Sequence, residues 1–297
     1  MDRLVLSFLG EFQARLESGP SVVIPARKAQ ALLAYLACSP IETHSRDKLA
    51  ALLWGDSEQS CARHSLRQTL FVLRSTLDPV LPSILRRDAG GVSLDRSRLL
   101  VDALEFERLA HEGTPETLGC AGILYRGDFL AGIGAGDQAF EDWLRDERDR
   151  LNELAFDVHG KLLAQQWKAG LLEAAVTSAR KLLVIDPLEE EAHRVLMRLY
   201  MIQGRREKAL QAYEKCAQML RQEFGTEPQT ETKALLAEIA SPHFVKKPRV
   251  ALMVDDDASV TAAESPAAGS RASGVRSRVR APRGTPAGAC ARTADTD

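Results

Sequence analysis

Residues 57–77 combine an apolar stripe with side chains that can form paired hydrogen bonds. The apolar positions recur at three- and four-residue steps, which predicts a helix with one inward face: Ala62, Leu66, Leu70, Leu73 and Leu77. On a wheel of about 100° per residue, Arg63, Arg67 and Arg74 cluster within roughly 40° beside that stripe. The next face holds Ser60, His64 and Gln68. Arginine and glutamine can make two hydrogen bonds to one guanine or adenine edge, and a major groove admits one helix. We therefore predict that these six polar residues form a DNA-reading face.

The segments around this helix are those that would present it. Before it, Ser45 is a predicted N-cap for a short helix over Arg46–Trp54, and Gly55-Asp56 supplies a turn. After it, the glycines near residue 90 permit a tight hairpin, the wing, with Arg86 and Arg87 placed for phosphates. Short helix, turn, longer helix and hairpin is the order of a winged helix-turn-helix.

The first 40 residues predict the rest of that module. Residues 4–9, 12–16 and 21–24 have strand-forming composition and are separated by glycine or proline, which indicates a small antiparallel sheet. Pro25 is expected to open the first of three helices, because a proline in the first turn costs no hydrogen bond.

From about residue 99 the pattern predicts helices alone, with an internal repeat of 34 residues. Gly170 aligns with Gly204 and Ala175 with Ala209 under this shift, and 34 is the tetratricopeptide period. Such repeats usually bind a partner rather than catalyse. We predict a mainly α chain with a winged helix over 1–98, a repeat domain over 99–241 and a disordered tail over 242–297. The tail's arginines could contact nucleic acid non-specifically.

Charge is divided along the 297-residue chain. The formal net charge is −2, but residues 1–100 carry 13 Lys/Arg against 10 Asp/Glu, residues 101–241 carry 17 against 25, and the tail carries 9 against 6. The sequence shows no secretory signal and no apolar run long enough to span a membrane, which favours a soluble cytoplasmic protein. The five cysteines have no CxxC spacing and are expected to be free thiols rather than zinc ligands.

Catalytic patterns do not emerge. The glycines of residues 132–136 lack the GxGxxG spacing, and neither HExxH nor GxSxG occurs. His159 and His193 occupy equivalent repeat positions but have no further ligands in a metal-binding pattern. We expect a protein that is not an enzyme and holds no cofactor or metal.

Several motifs together resemble one family. They lie in two groups, at Lys28–Ala37, Arg46–Trp54 and Ala62–Leu70, and then at Tyr125–Leu130, Asp186–Ala192 and Glu223–Pro228. Over about residues 4–240 the chain is similar to SARP-type bacterial regulators, which join a winged helix to a bacterial transcriptional activator domain. The resemblance implies binding to double-stranded promoter DNA, often at direct repeats with self-association, and activation through contact with RNA polymerase. Lys28, which begins the first motif, joins the residues expected at the DNA.

A second interpretation is a protein-interaction scaffold. The repeats would hold a partner, and the winged helix would have lost DNA binding and become a docking surface. A docking helix more often exposes apolar anchors, and only Phe71 fits that description on this helix.

Overall fold

The computed structural model describes residues 2–88, 91–134 and 136–241, apart from the side chains of Arg87 and Asp88. The tail that is predicted to be disordered, residues 242–297, lies outside this part of the chain. The described chain is mainly helical with two small sheets, which confirms the predicted fold class. Of the helices in the described ranges, none is both long and apolar enough to cross a membrane.

The N-terminal part contains the predicted winged helix. Its elements in chain order are β1 (Leu4–Ser7), β2 (Gln13–Leu16), α1 (Arg27–Cys38), β3 (Thr43–His44), α2 (Arg46–Trp54), α3 (Gln59–Leu77), β4 (Leu85–Asp88), β5 (Gly91–Leu94), a 3-10 turn (Arg96–Arg98) and β6 (Leu99–Val101). The hairpin of β4 and β5 is the wing, and β3 adds to it through β5 in an antiparallel three-stranded sheet.

The first sheet differs from the antiparallel arrangement expected from the sequence. β1 pairs antiparallel with β2, as predicted, but its other neighbour is β6, which runs parallel to it with Leu4 opposite Leu99. The third predicted strand, residues 21–24, forms only one isolated bridge, between Arg15 and Ser21. Prolines 20 and 25 flank this segment and cannot donate to a ladder, so it packs two side chains inward without extending the sheet.

The helices of the winged helix follow local signals closely. The Ser45 hydroxyl accepts a hydrogen bond from the Lys48 amide at 3.3 Å, so the predicted N-cap of α2 is confirmed. The α3 stripe is confirmed as well, since its five predicted apolar residues are all buried. α1 begins at Arg27 with Ala26 as its N-cap, so Pro25 precedes the helix rather than opening it.

The remainder is helical and carries the repeat. Its helices are α4 (Asp102–Glu112), α5 (Pro115–Leu124), α6 (Gln138–Lys168), α7 (Leu172–Ile185), α8 (Glu190–Ile202), α9 (Arg206–Phe224) and α10 (Thr230–Ala240). α7 and α9 begin 34 residues apart, and so do the ends of α6 and α8. Gly170 and Gly204 take left-handed φ values of 71° and 72° at the two turns, where a side chain would be strained.

Packing is continuous across the boundary predicted at 98/99. One apolar cluster runs from Leu4 in β1 to Leu162 in α6, and a second covers α7 to α10. The rings of Tyr35 in α1 and Trp143 in α6 meet edge to face at 5.0 Å. The domain bounds of 1–98 and 99–241 stay a prediction, which concerns whether the two parts can fold separately. In the structure, the winged helix and α4–α6 share one apolar core.

Candidate nucleic-acid interface

The outward face of α3 carries the predicted polar residues. Arg63, His64, Arg67 and Gln68 are all exposed, while the leucines behind them fix the helix on the core. The Nε2 atoms of His64 and Gln68 lie 2.9 Å apart, one helical turn from each other. The structure therefore brings these four side chains together on one solvent-facing surface.

Arg63 and Arg67 border a shallow cleft between α2 and α3. The Arg63 guanidinium lies 2.8 Å from the Asp47 carboxylate, Nε to Oδ1, which holds it against α2. Arg67 makes no hydrogen bond or ion pair with any described residue, so its guanidinium is available to a ligand. The cleft has a volume of about 170 Å³, and its rim also contains Arg46.

Arg46 is a residue that the sequence reasoning did not single out. It is the first residue of α2, exposed beside the N-terminal half of α3. In a helix-turn-helix the first helix crosses the phosphate backbone while the second enters the groove. That geometry is the signal that would have drawn attention to a basic residue at the start of α2.

Arg74 lies apart from this cluster along α3, whereas Ser60 lies one turn before His64. Arg74 is eleven residues beyond Arg63, which is about 16 Å along a helix, and is only partly exposed. Its Nε is 3.8 Å from an Asp78 carboxylate oxygen at the C-terminal end of α3. Ser60, in the first turn, is exposed and donates its hydroxyl to Glu58 at 3.0 Å.

Lys28 is engaged inside the module. Its ammonium donates to the Leu53 carbonyl at 2.5 Å and lies 4.9 Å from the centre of the Trp54 ring. It therefore caps the C-terminal end of α2 from α1, where a cation is favoured by the helix dipole.

The wing carries Arg86 on its first strand. Arg86 is exposed, and its Nη2 lies 2.6 Å from Asp95 Oδ2. Hydrogen bonding from the Ser97 hydroxyl, more than the nearby Arg86 charge, lowers the pKa of Asp95 and keeps it ionised. Arg87 pairs through its backbone with Val92, and its side chain lies outside the described residues.

The repeat histidines are buried rather than arranged for metal binding. His159 and His193 are 2% and 1% exposed. Burial, with a smaller effect of Lys181, lowers the pKa of His159 to about 4, and burial also lowers the pKa of His193. Among the residues that the structure describes, no three His, Cys, Asp or Glu side chains group as metal ligands.

The described chain joins a winged helix, whose α3 exposes an arginine-bearing face, to a helical domain that contains a 34-residue repeat. Residues 99–240 match the family model of the bacterial transcriptional activator domain. The chain is 27% identical over 242 residues to the regulatory protein DnrI of Streptomyces peucetius. The matched region covers 75% of this chain and 87% of DnrI. It is 25% identical over 250 residues to the transcriptional regulatory protein MoaR1 of Mycobacterium tuberculosis, covering 78% and 77% of the two chains.

The fold is also similar to a solved structure of Mycobacterium tuberculosis EmbR in complex with a low-affinity phosphopeptide. The TM-score is 0.55 at 22% sequence identity, and the match covers 80% of this chain and 65% of that one. The chain therefore matches the bacterial transcriptional activator domain over residues 99–240 and is similar to two bacterial regulatory proteins.

Proposed function

We propose that this regulator binds specific double-stranded promoter DNA by placing α3 in the major groove. The observation that carries the proposal is Arg67, an exposed guanidinium without a partner among the described residues, on a helix whose opposite face is fully anchored. Arg67 and Gln68 would read base edges, with Arg63, His64 and Ser60 beside them. An anchored helix presents these groups at a fixed geometry, which base-edge hydrogen bonds require.

Phosphate contacts would come from the elements on either side. Arg46 at the start of α2 and Arg86 and Arg87 in the wing are proposed for this role, since phosphate contacts position a protein without reading sequence. Arg74 would contact DNA at the far end of α3. We leave Lys28 out of the DNA-facing set because its ammonium already donates to the Leu53 carbonyl.

The helical domain is proposed to activate transcription by contacting RNA polymerase and by self-association of copies bound at direct repeats. The support is the activator domain matched over residues 99–240 and the naming of both curated relatives as regulators rather than enzymes. A regulator of this kind would act in the bacterial cytoplasm, at the nucleoid.

Selection of bound sites from a random duplex pool, followed by binding assays with two variants, tests the proposal. Arg67→Ala should weaken binding to the selected site by about 1–3 kcal/mol and relax preference at one base pair. Arg221→Ala removes an exposed arginine from α9, away from α3, and should leave affinity and preference unchanged. If Arg67→Ala keeps both affinity and preference while its helix content matches the parent, the base-reading role is wrong.

The scaffold interpretation retains one specific observation in its favour. Phe71 is 70% exposed on α3, one turn beyond Arg67, and would serve as an apolar anchor for a protein partner. The scaffold function would be favoured over DNA binding by two results together: the random duplex pool yields no enriched motif, and Phe71→Ser no longer binds a protein that the parent chain binds.

A further inference from the structure

A concave groove lies between α7, α8 and α9, far in sequence from the proposed DNA surface. Its volume is about 380 Å³, which is within the usual range of ligand sites. It is formed by the repeat itself, because two helical hairpins stacked at a 34-residue period leave a concave side.

The groove is basic within an acidic domain. Arg180, Lys208 and Lys215 line it, and none of its lining residues carries a carboxylate. Residues 101–241 as a whole carry 25 Asp/Glu against 17 Lys/Arg, so the grouping of three cations without acids is a local departure from the domain's charge. None of the three forms an ion pair with the described residues.

Tyr200 fixes one of these cations in place. The Nε and Nη2 atoms of Arg180 donate to the Tyr200 hydroxyl at 3.0 and 2.7 Å, and the guanidinium lies 5.8 Å from the centre of that ring. A neutral hydroxyl orients the guanidinium without cancelling its charge. The positive charge at this end of the groove is therefore held in position and left uncompensated.

The remaining lining is apolar, with one buried polar atom. Leu183, Leu196 and Ala212 form buried walls, and Val184 is 77% exposed at the edge. His193 also lines the groove; its Nε2 lies 3.0 Å from the Pro187 carbonyl oxygen, whereas its Nδ1 makes no hydrogen bond with the described residues. A ligand in this groove would meet an apolar surface and charged cations.

We propose that this groove binds an acidic peptide segment of a partner protein, one that carries an apolar side chain among its carboxylates. Carboxylates would pair with Lys208, Lys215 and Arg180, and the apolar side chain would cover Val184 and Leu196. A groove of this size with apolar walls suits an extended or helical peptide, whereas a DNA duplex is too wide to enter it.

Fluorescence polarisation with a labelled peptide, Ser-Asp-Asp-Leu-Asp-Asp-Ser, and the full chain tests the proposal. The double variant Lys208→Gln/Lys215→Gln should bind about tenfold more weakly, since each substitution removes one cation that would pair with a peptide carboxylate at the rim. The matched control is Lys161→Gln/Lys168→Gln, which removes two exposed lysines from α6 outside the groove. It should bind within about twofold of the parent. A peptide with asparagine at every aspartate position should also bind about tenfold more weakly.

Three results would overturn the proposal. The first is absence of binding to the parent chain, and the second is equal weakening in both lysine pairs. The third is weaker peptide binding at higher protein concentration, together with dimers in sedimentation. That result would mean that a second copy of the chain occupies the groove. No DNA site is needed for this assay, so its outcome is independent of the proposed DNA binding.

Discussion

Asp102 offers the sharpest test of how the winged helix is attached to the helical domain. This residue begins α4, and its carboxylate is 8% exposed. It accepts hydrogen bonds from the amides of Phe8 at 2.7 Å and Leu9 at 3.3 Å, just beyond β1, and pairs with Arg126 Nη2 at 2.8 Å. One carboxylate therefore joins the first sheet, α4 and the segment after α5.

The cost of Asp102→Ala follows from these contacts. Phe8 and Leu9 are 0% and 1% exposed, so water cannot readily replace the lost acceptor, and each amide left unsatisfied costs about 1–3 kcal/mol. The half-exposed Arg126 pair adds at most about 1 kcal/mol. Burial raises the pKa of Asp102 and outweighs the amide and Arg126 contacts that lower it, so Asp102→Ala also removes the cost of burying a charge and the net loss falls at the low end of the summed costs. We expect the free energy of unfolding to fall by about 2–3 kcal/mol.

Urea unfolding followed by far-UV circular dichroism and by tryptophan fluorescence measures this loss. Trp54 lies in α2, and Trp143 in α6 packs edge to face on Tyr35 of α1, so single-tryptophan versions report two sides of the shared core. The control Asp149→Ala, at an exposed position of α6, should change stability by less than about 0.5 kcal/mol. A loss in Asp102→Ala no larger than in this control would refute the reasoning. So would two separated transitions in the parent, because a shared core requires both tryptophans to report one.

Two further predictions concern acid stability and salt dependence. The pKa of His159 is lowered to about 4 by burial and Lys181, so between pH 6.5 and 4 only the unfolded chain gains this proton. The parent's free energy of unfolding should therefore fall by about 3 kcal/mol as the pH drops through that window, and this contribution is fully present above pH 6.5. His159→Phe should remove this part of the dependence of the free energy of unfolding on pH. An unchanged slope would contradict the assignment. Arg86→Ala should weaken binding to all duplexes alike and lower the slope of log K against log salt by about one; a sequence-dependent loss would instead indicate base contact.

Local signals predicted the elements that depend on neighbouring residues. The α3 stripe, the Ser45 cap and the 34-residue register all follow from spacing of a few residues or from self-similarity, and each is confirmed. Gly91 shows what a local pattern misses. The sequence predicts a hairpin glycine here, but in the structure Gly91 begins β5, and a Cβ there would lie 2.2 Å from the His44 carbonyl oxygen, so β3 can approach β5 only because residue 91 is glycine.

Features that depend on distant partners were not predictable. β6 is three residues long, too short to show a period, and its pairing with β1 spans more than 90 residues. The engagement of Lys28 by the Leu53 carbonyl likewise depends on how α1 meets α2. For Arg74, the wheel projection gave the correct angle but discarded position along the axis, which separates it from Arg63 and Arg67. These features share one cause, since a one-dimensional pattern records direction from a helix axis but neither position along that axis nor tertiary neighbours.

α6 determines how the two proposed recognition surfaces are related. It is 31 residues long, or roughly 46 Å, and contributes Phe140 and Leu144 to the core of the winged helix and Leu163 to the core of the repeats. Asp137, its N-cap, also accepts a hydrogen bond from the Gly55 amide at the end of α2. One continuous helix therefore connects the winged helix, which carries α3, to the repeats that form the proposed peptide groove. A partner bound in that groove would have a raised effective concentration near DNA held at α3, because the two surfaces lie on one chain. Activation by this route requires only that both surfaces be occupied at once, and it would be abolished by losing either one.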